Sequence, residues 1–221
     1  VGTGVLLVLA LALQAGVKMY TLKSPDGKVK LEVTAGQGIA YSLFYDGRLL
    51  LKPSRIALHT DLPEADHWEN IRITGTKQRH VSETVQAPFY RVKEFGIDCN
   101  ELELRLNNGF SLLMRAYNDG MAYRFVAGRK GEMTVVEERA EFNFADDFEA
   151  YIPYSTNPKD PWNMAFQNFY TKAPLTQYNT ELPAFLPLTV DAGAVKLTLL
   201  ESDLEAYPGM FVCGCLLYTS D

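Results

Sequence analysis

Residues 101–106 read ELELRL, a strict alternation of charged and apolar side chains. Such a run cannot bury one face as a helix, but as a strand it turns every leucine to one side. The same grammar continues downstream. Asn107-Asn108-Gly109 punctuates the run, residues 110–117 (FSLLMRAY) follow, and Asn118-Asp119-Gly120 leads into residues 121–126. Asparagine, aspartate and glycine supply the backbone conformations that tight turns need, so these pieces predict three consecutive antiparallel strands.

Upstream the pattern is alike. Ser24-Pro25-Asp26-Gly27 is a turn before residues 28–34 (KVKLEVT), where Val29, Leu31 and Val33 share a face. Residues 39–45 (IAYSLFY) end at Asp46-Gly47, a hairpin dipeptide, and residues 48–51 and 56–59 form the return strand. Residues 82–85 and 89–95 read as strands around a short turn, and residues 132–144 as another pair. Residues 186–190 and 195–201 close the ordered part around Asp191-Ala192-Gly193. No helical period is sustained after residue 17. Turns recur at the spacing of an all-β fold, here a large antiparallel β-sandwich. Residues 150–183 break the alternation, and a long irregular stretch in a compact domain is usually functional or packs on something else.

The first stretch differs in kind. Residues 5–15 read VLLVLALALQA, too short for a membrane span and suited to the apolar core of a signal peptide. Residues 1–16 are therefore expected to be a partial signal peptide, residues 17–212 the β-sandwich domain, and residues 213–221 an atypical tail of artefactual origin. Export to a periplasm or beyond is the corresponding expectation.

The net charge of -6, with scattered lysine and arginine, excludes a basic stripe for nucleic acid. Cys99, Cys213 and Cys215 show no metal spacing and no disulfide framework. His59, His67 and His80 lie in unrelated segments and do not suggest zinc. No nucleophile elbow, phosphate-binding loop or dinucleotide-binding glycine cluster is present. Arg124, flanked by aromatics, reads as the charged face of an ordinary strand or as a group stacking on a sugar.

Two segments carry more chemistry. In residues 162–174 (WNMAFQNFYTKAP), Trp162, Phe169 and Tyr170 stand beside Asn163, Gln167 and Asn168. Rings stack on apolar sugar faces and amides bind hydroxyls, so a sugar platform and a surface packing on a neighbouring domain are both open. Near the end, Glu201, Asp203 and Glu205 place three carboxylates within five residues after an apolar strand. Calcium takes oxygen ligands of this kind, while a solvated acidic turn has the same composition.

Taken in order, SPDGKVKLEV, GIAYSLFYDGRLLLKPSRIAL, NDGMAYRF and ESDLEAYPGMF resemble the N-terminal domain of glycoside hydrolase family 97 over residues 20–212. The resemblance implies a super-sandwich of the galactose-mutarotase type in an exported bacterial α-glycosidase. It further implies a (β/α)8 barrel that carries the catalytic carboxylates, so no catalytic residue is expected in this chain. The substrate would be an α-glucosidic or α-galactosidic oligosaccharide. The N-terminal domain of that family packs on the barrel and lends one glutamate to a calcium site, and the best match is Glu201, with Glu205 in reserve. The competing expectations are a free-standing carbohydrate-binding module using Trp162, Phe169 and Tyr170, and a structural or adhesion sandwich.

Overall fold

The computed structural model describes residues 17–157, 159–162, 167–202, 204 and 207–214. Residues 1–16, expected as a partial signal peptide, lie outside the described residues, as do Asn163, Asp203, Glu205 and residues 215–221. The chain divides into two compact units, up to Ala145 and from Asp146 onward. That boundary falls inside the stretch expected as one domain.

Among its described residues the first unit holds nine strands in two sheets. One has β1 (Lys18–Lys23), β2 (Val29–Gly36), β3 (Gly38–Tyr45), β4 (Arg48–Thr60) and β9 (Val135–Ala140), in the order β1-β2-β3-β4-β9. The other is a meander of β5 (Ile73–Gln86), β6 (Glu94–Leu106), β7 (Phe110–Tyr117) and β8 (Gly120–Ala127). All pairings are antiparallel. β1 packs on β6 and β2 on β7, which makes a sandwich. The alternation in sequence becomes the core. Leu31 and Val33 of β2 are fully buried, as are Leu102, Leu104, Leu112 and Met114 of β6 and β7. Trp68 seals this core between Phe110 and Phe125 and donates its indole N–H to the Leu58 carbonyl at 3.0 Å.

Turn chemistry sets the register. Asp46 and Gly47 both have positive φ (49° and 79°), the mirror-image turn that matches strand twist. Tyr45 accordingly faces Arg48 across a two-residue loop. The Asn118-Asp119 turn differs from expectation. Tyr117 pairs with Gly120, so the glycine begins β8 rather than occupying the turn.

Three sequence expectations shift. Residues 87–93 are a turn, not the start of a strand, and β5 begins nine residues before the expected Ser82, at Ile73. β5 is an edge strand whose side chains are mostly exposed, so it carries no apolar alternation to read. The expected pair over 132–144 is the single strand β9, with Phe144 making one isolated bridge to Leu51.

The second unit is a smaller sheet of β10 (Glu149–Ile152), β11 (Thr171–Pro174), β12 (Leu188–Asp191) and β13 (Lys196–Leu199), ordered β11-β10-β12-β13. Ala150, Ile152, Leu188 and Val190 form its buried face. The irregular stretch 150–183 thus contributes two short strands before a 3₁₀ turn at Leu175–Gln177. Among the described residues no helix is long and apolar enough to cross a membrane.

Candidate functional site at the end of β13

The β12–β13 hairpin is set by its own turn. Asp191 accepts the Gly193 N–H at 2.9 Å and pairs with Lys196, and Gly193 takes φ 83°. Lys196 first of all, by its hydrogen bond, holds the Asp191 carboxyl below the usual aspartate range. β13 then ends at Leu199, and an exposed Leu200 delivers Glu201 to the rim of the sheet.

Glu201 is half-buried and both its oxygens accept the Met210 N–H, Oε1 at 2.9 Å and Oε2 at 2.8 Å. The chain approaches closely just before this point, since a Cβ on Gly209 would lie 3.4 Å from Oε1. The returning segment is then fastened. Val212 and Ala184 exchange two backbone hydrogen bonds of 2.8 Å, and the Tyr178 hydroxyl donates to the Val212 carbonyl at 2.6 Å. Tyr178 meets Tyr154 edge to face at 5.1 Å, and the Tyr154 hydroxyl accepts the Asn179 N–H at 2.7 Å. Burial pushes both phenols above the usual tyrosine value. These tyrosines are neutral hydrogen-bonding struts at physiological pH, not candidate bases.

A carboxylate offers about four lone-pair sites. Among the described residues the two oxygens share one N–H, and a carboxylate with acceptor capacity of this kind is chemically suited to a hard cation. Among the described residues no group of three or more His, Cys, Asp or Glu side chains is gathered as a metal centre. Asp203 and Glu205 lie outside the described residues.

The aromatics of this stretch have separate neighbours. Trp162 meets Phe211 edge to face at 4.8 Å, the Tyr170 hydroxyl donates to the Pro187 carbonyl at 3.2 Å, and Phe169 is exposed. The Asn168 amide, a candidate for sugar hydroxyls, donates to the Tyr154 carbonyl at 2.9 Å. The histidines have ordinary partners: His59 pairs with Asp66, and His80 with Asn100 and Asp98. Cys99 is a buried free thiol, and Arg124 is an outward charge on β8.

Sequence reasoning missed one charged cluster. Glu101 is nearly buried and accepts the Nε–H of Arg79 at 2.6 Å and of Arg115 at 2.7 Å. Its position in an alternating charged run gave no hint of burial. The cross-strand register, which places Arg79, Glu101 and Arg115 side by side, was the missing information.

The family model for the glycosyl-hydrolase 97 N-terminal domain matches residues 22–215. The chain belongs to that family. The domain is 41% identical over 209 residues to a retaining α-galactosidase from Bacteroides thetaiotaomicron, a match covering 91% of this chain and 31% of that protein. It is 26% identical over 158 residues to a probable retaining α-galactosidase from Streptomyces bingchenggensis, covering 70% and 24%. A glycoside hydrolase family 97 enzyme from Pseudoalteromonas sp. strain K8, solved with acarbose, shares the fold. Its TM-score is 0.63 at 18% identity, over 77% of this chain and 26% of that one. The domain thus spans about a third or less of the length of the curated relatives it matches.

Proposed function

We propose that this domain serves an exported, calcium-dependent retaining α-galactosidase, where it docks on a (β/α)8 catalytic barrel and presents Glu201 to the metal. The observation that carries the reading is the placement of Glu201. It stands at the end of β13, on a rim, with a carboxylate steadied by one N–H and open to a further partner. The name of the 41% identical relative favours galactoside over glucoside and retention over inversion. The apolar run over residues 5–15 favours export.

In this reading Glu201 would be one of the ligands that hold calcium, and bound calcium would supply fixed positive charge and Lewis acidity. The rest of the work of this chain is positional. The Met210 N–H orients the carboxylate, and the Val212–Ala184 bridge with the Tyr178 hydroxyl keeps residues 207–214 in place. A retaining barrel would bring its own two carboxylates about 5–5.5 Å apart. Calcium affinity is then coupled to docking, because a ligand borrowed from another domain is present only when that domain is seated.

The test is to assay the whole gene product on aryl α-galactoside and α-glucoside, and to follow the first-formed anomer by NMR. The reading expects faster α-galactoside cleavage, an α-configured product and loss of activity on chelation. Cleavage of neither substrate, or activity indifferent to chelation, overturns it.

A further inference from the structure

The β5–β6 hairpin extends beyond the sheet that it belongs to. β6 pairs with β7 only from Cys99 to Arg105. Beyond Cys99, the five pairs Ser82–Asp98, Glu83–Ile97, Thr84–Gly96, Val85–Phe95 and Gln86–Glu94 have no third strand beside them among the described residues. At the strand rise this ribbon is about 17 Å long. A lone two-stranded ribbon is marginally stable in water.

This arm carries apolar side chains outward. Val85 and Phe95 face each other across the ribbon at 41% and 44% exposure, and at the tip Phe89, Tyr90 and Val92 are 96%, 69% and 52% exposed. The tip is nonetheless built. The Ala87 N–H donates to the Lys93 carbonyl at 2.7 Å, the Tyr90 N–H donates to the Ala87 carbonyl at 3.0 Å, and the Lys93 ammonium caps the Pro88 carbonyl. A preorganised, aromatic-rich apolar tip has the composition of an interface anchor rather than of free surface.

We infer that the arm is the docking anchor of this domain, and that its occupant is an apolar cleft on the remaining part of the same polypeptide. The relatives matched here are about three times as long as the matched chain, and in this proposal the remaining part is a larger body tethered to this domain. A tether gives that body a high effective concentration at the tip. The inference rests on the docking reading above and names the element that performs it.

The tip contains its own probe, because trypsin cleaves after Arg91 and Lys93. In the full-length protein these bonds are expected to resist limited trypsin digestion, with cleavage mapped by mass spectrometry. In full-length Phe89→Asp they are expected to be cut about tenfold faster or more, as the loss of a central anchor raises the open population. Prompt cleavage at Arg91 or Lys93 in the wild-type full-length protein overturns the inference. Protection that disappears on dilution also overturns it, in favour of a second copy as occupant. If the arm is cut freely while Glu201→Gln still weakens calcium binding, the arm assignment fails and the docking reading stands. If Glu201→Gln leaves calcium binding unchanged while the arm is protected, the arm assignment and docking stand and the calcium role of Glu201 fails.

Discussion

Both carboxylate oxygens of Glu201 accept a hydrogen bond from the Met210 N–H, at 2.9 and 2.8 Å. A side chain at the end of β13 is thereby tied to a backbone group nine residues later, and the tie does two separable things. It closes the 201–210 loop, and it fixes the direction in which the carboxylate looks.

Those two roles can be split by substitution. Glu201→Gln keeps a carbonyl oxygen for the Met210 N–H, so the melting temperature of the full-length protein in chelator should stay close to wild type. Glu201→Ala removes the acceptor and should cost about 1 kcal/mol, the usual worth of a partly exposed hydrogen bond. Thermal melts of both variants without metal check this. Equal destabilisation by the two would mean that the hydrogen bond contributes nothing.

Glu101 predicts a pH signature. The Arg79 hydrogen bond foremost, and Arg115 after it, hold its carboxyl below the usual glutamate range. A lowered folded value contributes stability above the unfolded value, which is lost as pH falls through the folded one. Its share is therefore fully present above about pH 5 and disappears on acidification below that. Glu101→Gln should cost about 2 kcal/mol at pH 7, discounted from the usual cost of breaking a buried pair because Arg79 is half exposed. The loss should shrink as the pH is lowered toward 3, and chemical denaturation across that range checks it. A pH-independent difference would contradict the ion-pair account.

Gly214 rests against the Tyr178 ring so closely that a Cβ there would lie 2.2 Å from Cδ1. Gly214→Ala must therefore move either the ring or residues 212–214, while Tyr178→Phe only removes the 2.6 Å bond to the Val212 carbonyl and should cost about 1 kcal/mol. Hydrogen exchange at the Val212 and Ala184 amides should accelerate in both variants, and more in Gly214→Ala. Unchanged exchange in Gly214→Ala would show that this segment is not held by Tyr178.

The sandwich core should behave as a close-packed one. Leu104 is fully buried between the sheets, and Leu104→Ala should cost about 3 kcal/mol in equilibrium unfolding. A loss below about 1 kcal/mol would mean that the two sheets are not packed on each other there.

Legibility of the fold in the sequence followed burial. β2, β3, β7 and the second half of β6 alternate because one face is buried, and their alternation located them. β5 was largely illegible, since an exposed edge strand such as ITGTKQRHVSETVQ has no apolar face to reveal it. The strands β10 and β11 were hidden for another reason: no short turn joins them, whereas the equally short β12 and β13 flank the Asp191-Ala192-Gly193 turn. At the site, Glu201 was legible as a carboxylate following an apolar strand. Its partner Met210 was not, because a backbone N–H has no sequence signature. The Arg79–Glu101–Arg115 ladder depended on register, which only the paired strands supply.

The central claim is that Glu201 is a calcium ligand donated by this domain. The most direct measurement is calorimetric titration of calcium into the metal-stripped full-length protein and its Glu201→Gln variant. The account predicts calcium affinity weaker by about tenfold or more in the variant, with an unchanged fold by circular dichroism. Equal affinity in the two proteins would contradict it.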